Sequence, residues 1–173
     1  MSAFNSDDTY NVIAEHVIES LQADARLGTG GALAIKKWEQ ELREDAGDYN
    51  ENELPAVAVT VDLSGQAEAS TGQDRATYMA LVLVCVTGGR LINVKKTVKY
   101  YAARIERVMQ QQHLAAKQLS AVTADLSDAV SGSVVVEKAG TAIGSAALEE
   151  TQGLRGVAVL TFNISIDFTI TED

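Results

Sequence analysis

The sequence predicts an α+β fold, a mainly antiparallel, curved β-sheet with two amphipathic helices packed on one face. Three observations predict it. Strand-like segments come in runs rather than alternating singly with helices. Two segments repeat apolar residues at steps of three and four. The chain also closes on a long alternation, GLRGVAVLTFNISIDFTI, in which Leu154, Gly156, Ala158, Leu160, Phe162, Ile164, Ile166, Phe168 and Ile170 take every second position. The 173 residues read as one domain, 1–173, whose 46% hydrophobic content supplies one core.

The elements follow in order. A helix begins near Ser6 or Asp7, either of which can cap it, and Tyr10, Ile13, Val17 and Leu21 form its apolar stripe. It stops before Gly28, and GTGG is a break. Leu33 and Ile35 alternate with small residues, which predicts a strand over 32–38. The next segment is an acidic loop carrying Glu39, Glu41, Glu44, Asp45, Asp48, Glu51 and Glu53 against one Arg43. Pro55 opens a strand over 56–62, and 63–75 reads as a long hairpin loop that includes Glu68 and Asp74. A strand follows over 76–87, apolar on both faces from Met79 to Val86, which predicts cover on both sides.

Asn93 is placed to cap the clearest helix, whose buried stripe is Val94, Val98, Tyr101, Ile105 and Val108. Lys95, Lys96, Lys99, Arg104 and Arg107 lie off that stripe. Residues 113–152 are harder to assign: an irregular segment or short helix, a strand at 133–140, then a connection, together a possible inserted hairpin.

Several function classes fall away. A net charge of −10 opposes general binding to nucleic acid phosphate. The N-terminus has no basic residue and no hydrophobic segment, so the reading expects no signal peptide, and no apolar run is long enough to span a bilayer. Cys85 lies in an apolar run and reads as a buried, inert thiol. GTGG follows a helix and lacks the GK[ST] of a phosphate loop. His16 and His113 have no ligand-spaced partner, and DAGDYNENE does not fit a calcium loop. There is no G-x-S-x-G nucleophile elbow. The reading therefore names no catalytic residue, no metal ligand and no cofactor.

What remains is mechanical. Leu154 to Ile170 could span ~55 Å, against a diameter of ~40 Å for a compact chain of this length. Such a strand bends, is relieved by a bulge at Gly156, or projects, and a projecting strand with a free edge invites cover by a second copy. Thr161, Asn163, Ser165 and Thr169 form an uncharged polar face that suits a subunit interface, and the five basic residues suit pairing with acidic residues of a neighbouring subunit. Plain solvent exposure is the simpler reading of each.

The layout resembles the tail terminator (tail-completion) proteins of tailed bacteriophages. The likeness rests on the N-terminal helix, the ELPAVAV strand, the long apolar strand ATYMALVLVCVTG, the helix NVKKTVKYYAARIERVM and the closing strand, about 8–112 and 153–170. That family has no short diagnostic motif. The resemblance implies a virion protein, assembled in the host cytoplasm and located at the head-proximal end of the tail. It implies a homo-oligomer, a hexameric ring, that caps the tail tube protein, stops its polymerisation and docks the head connector or neck protein. DNA would pass the lumen without specific binding, and no membrane is involved. The acidic residues of 39–53, with Glu68 and Asp74, are then candidates for the lumen or docking loops. The alternatives are a head-tail connector, a cytoplasmic ligand-binding α+β domain, and a small enzyme.

Overall fold

A computed structural model describes residues 7–43, 45, 48–70, 73–110, 130–147 and 154–169. Helix α1 is Asp7–Gln22, strand β1 Lys37–Glu39, a 3-10 turn Glu51–Glu53, β2 Ala56–Ser70, β3 Gln73–Gly88, helix α2 Leu91–Gln110, β4 Val130–Ala147 and β5 Leu154–Thr169. The five strands form one open sheet in the order β1-β2-β3-β5-β4. All pairings are antiparallel except β1 with β2. The α+β class and the two helices on one face of the sheet hold.

Period and face agree throughout the core. On α1, Ile13, Val17 and Leu21 are buried, and on α2, Val94, Val98, Tyr101, Ile105 and Val108 are buried. They meet Val57, Val59 and Val61 of β2, Tyr78, Ala80, Val82 and Val84 of β3, and Ala158 to Ile166 of β5 at alternate positions. A large apolar side chain such as Phe162 contributes ~1.5–3 kcal/mol on full burial. Tyr10 of α1 meets Tyr78 edge-on, with ring centroids 5.8 Å apart.

Four boundaries differ from the sequence pattern. Residues 32–35 do not join the sheet. Leu33 N–H donates to Arg26 O and Ile35 N–H to Leu27 O, so this stretch folds back on the turns after α1, and β1 keeps only three residues. Gly30 takes φ +81° there, a conformation that favours glycine. Residues 63–70 and 73–75 are not loop either. Strands β2 and β3 run on to Ser70 and Gln73, with register shifts between Leu63 and Gly65 and between Glu68 and Ser70. Small and polar residues in these strand segments mimic loop composition. Asn93 does not cap α2: the helix begins at Leu91, and Val94 N–H bonds to Arg90 O. The strand read at 133–140 extends over the whole of β4, while 111–129 and His113 lie outside the described residues.

The long closing strand resolves differently from the expectation of a free edge. β5 sits between β3 and β4, so both its edges are paired. Its register with β3 runs without a shift from Gly88↔Leu154 to Gln73↔Thr169. Gly156 therefore marks no bulge against β3. It marks a close approach, because a Cβ there would sit 2.5 Å from Val94 Cγ1.

Candidate assembly surfaces

The sheet has a helix-covered face and an opposite face. Met79, Leu81 and Leu83 of β3 and Val157, Val159, Thr161, Asn163 and Ser165 of β5 lie on the opposite face and are half-buried. The expected cover on this side reaches, among the described residues, only one end, where Tyr49 and Leu54 pack against Ala56 and Cys85. Burial pushes the Cys85 thiol up to about 11, with Arg155 acting weakly the other way. Arg155 is itself 2% exposed, and its guanidinium donates to Thr87 Oγ1 at 2.7 Å. A charged residue in an otherwise apolar-and-small alternation was its only signal in the sequence.

Thr161, Asn163 and Ser165 of β5 line up along this opposite face. Ser165 bonds Thr77 across the strands at 3.1 Å, and Arg75 pairs with Asp167 one step further on, at 2.7 Å. Thr161 and Asn163 stand opposite Leu81 and Met79. Thr169 ends β5 opposite Gln73, and nothing is assigned to its side chain. β4 forms one margin of the sheet, where Val135 and Ile143 are exposed.

The basic residues of α2 divide. Arg104 is used within the chain: it makes two bonds to the buried Asp24, one of them Nε to Oδ1 at 3.0 Å. Asp24 also accepts the amides of Arg26 and Leu27 and so closes the turn after α1. Burial raises the Asp24 carboxyl, but Arg104 and the two amides outweigh it and hold it below the usual carboxylate range. Lys95, Lys96, Lys99 and Arg107 are exposed and have no ion-pair partner among the described residues. Beside them stand Ile92 and Tyr100, 75% and 57% exposed. A groove of about 330 Å³ between α2 and the turn after α1 is lined by Arg26, Leu33, Tyr100, Arg104 and Arg107.

The acidic segment is organised around Arg43. Its guanidinium donates to Glu39 at 2.6 Å and Glu53 at 3.0 Å, to the Asp48 carbonyl at 2.7 Å, and lies 4.2 Å from the Tyr49 ring centre. The bond from Arg43, with the Asn50 amide, holds the Glu53 carboxyl down to about 2. Glu41, Asp45, Asp48 and Glu51 are exposed, and Glu44 lies outside the described residues. Glu68 and Asp74 are register partners near the β2–β3 turn rather than loop residues. Among the described residues no three carboxylate, histidine or cysteine groups gather as a metal site. His16 is buried on α1 with Nδ1 3.4 Å from Glu19. No described helix is long and apolar enough to cross a membrane.

No family model matches the sequence, and no curated protein is similar to it. A solved structure does match: a chain from the virion of a native gene transfer agent particle. Identity is 15%, coverage is 94% of this chain and 99% of that one, and the TM-score is 0.50. At that identity the likeness is one of fold, and it runs nearly end to end in both chains.

Proposed function

We propose that this chain is a structural protein of a phage-like virion, a tail terminator whose ring caps the tail tube, stops its growth and presents a docking face to the neck. The observation that carries the virion reading is a likeness in fold, over 94% of this chain, to a chain of a gene transfer agent virion. The surfaces support the same role. One sheet face is helix-covered, the other is apolar and polar in bands, and α2 exposes a row of cations while the 41–51 segment exposes acids. Such a surface favours assembly over a convergent reaction centre, and the role is non-enzymatic. An acidic ring would also repel passing DNA rather than hold it.

A head-tail connector fits the same fold and the same particle. The experiment that separates the two adds purified protein to tail tubes grown from the tube protein of the same particle. The terminator reading expects tubes to stop elongating and to carry one ring at one end in electron micrographs. Tubes that elongate unchanged, with the protein found on heads instead, would overturn it in favour of the connector.

A further inference from the structure

The exposed cations of α2 and the exposed acids of the 41–51 segment belong to different margins of the sheet. α2 packs through Val94, Val98, Ile105 and Val108 on the helix-covered face, over β3, β5 and β4. The acidic segment leaves β1 at the other margin of the sheet, and its Tyr49 and Leu54 pack on the opposite face. A five-stranded sheet is ~20 Å wide and a packed layer adds ~10 Å, both beyond the ~8 Å over which exposed charges act at physiological salt. Lys95, Lys96, Lys99 and Arg107 of α2 and Glu41, Asp48 and Glu51 of the same copy therefore do not pair with each other.

We propose that the exposed face of α2 in one copy docks on the acidic segment of the next. This rests on the ring reading above and names the contact that would build it. On α2, Ile92, Lys96, Lys99 and Arg107 share the exposed side at helical spacing, with Tyr100 beside them. On the other surface Glu41, Asp48 and Glu51 are exposed and Leu42 is half-buried. The apolar side chains supply the dry centre of the contact, and the charges supply register and encounter rate. The Arg43 cluster presets the acidic segment, which reduces the ordering cost of binding. The occupant is a second copy because the complementary surface is present on this same chain. Because the two surfaces differ, the contact is head-to-tail, the kind that closes into a ring when the rotation between copies allows.

The test uses two charge-reversed full-length variants. One carries Lys95→Glu, Lys96→Glu and Lys99→Glu. The other carries Glu41→Lys, Asp48→Lys and Glu51→Lys. Mass is measured by light scattering behind size exclusion. The wild type is expected to be a multiple of the monomer mass that falls toward one as NaCl rises from about 0.05 M to about 1 M. Each variant alone is expected to stay monomeric. An equimolar mixture is expected to regain the wild-type mass, since the reversed helix of one variant meets the reversed segment of the other and their two unreversed surfaces meet in turn. That recovery also shows both variants to be folded. Variants that assemble alone as the wild type does would overturn the contact and leave the ring intact. A mixture that stays monomeric while the wild type assembles would overturn it too. So would a wild type that is monomeric at every concentration, or a gel shift showing that the lysines bind duplex DNA while mass is unchanged. Tube capping, measured separately, decides the terminator reading in each case.

Discussion

Asp24 is the residue on which the turn after α1 depends. Its carboxylate takes two backbone amides and both ends of the Arg104 fork, and so ties α1 to α2. With side chains 4% and 19% exposed, this pair is screened little by water. Removing one partner leaves the other charge buried without compensation. Asp24→Asn is expected to destabilise the fold by about 3 kcal/mol, read from urea midpoints, and a double-mutant cycle with Arg104→Gln should show strong coupling. The pH dependence has a fixed sign. A folded-state pKa held below the ordinary 3.8 means that the stabilisation is complete above that value. It is lost as pH falls below it, so the wild type should lose its advantage over Asp24→Asn in acid. Nothing in the sequence pairs residues 24 and 104. Only the packing of α1 beside α2 brings the two together.

At the scale of elements, the helix stripes and the alternation of β5 were fully legible, because burial imposes a period and the sequence carries it. Legibility failed where the pattern is weak. Beyond Leu63, β2 carries only small or polar residues, and its pairing comes from the neighbouring strand rather than from its own pattern. The acidic segment failed differently: its composition suggests a solvated loop, yet one arginine gathers two glutamates, a carbonyl and a tyrosine ring. A single cation among seven acids was the available signal. Of the candidate residues, Lys95, Lys96, Lys99 and Arg107 stand exposed, whereas Arg104 does not stand free. The clustering makes a measurable claim. Glu53, held down to about 2, should titrate well below an ordinary glutamate when followed by its side-chain carboxyl carbon in NMR. In Arg43→Ala the midpoint should return toward about 4.3. The order in the segment is present above the ordinary glutamate range and is lost as pH falls toward 2, the direction a depressed carboxyl requires.

The whole molecule is built around one ladder. β3 and β5 pair without interruption over their full lengths, from Gly88↔Leu154 to Gln73↔Thr169, with β2 and β4 flanking them. This makes the sheet stiff along the strands. Force applied in that direction to opposite ends of the two strands loads every rung at once, whereas force at one shared end opens the rungs one after another. In a single-molecule pulling experiment, handles at residues 73 and 154 should hold to a far higher force than handles at 73 and 169. Similar rupture forces in the two geometries would contradict the unbroken ladder. The molecule thus has a natural axis of strength, and a subunit oriented with its strands along the direction of load would resist tearing without any covalent cross-link.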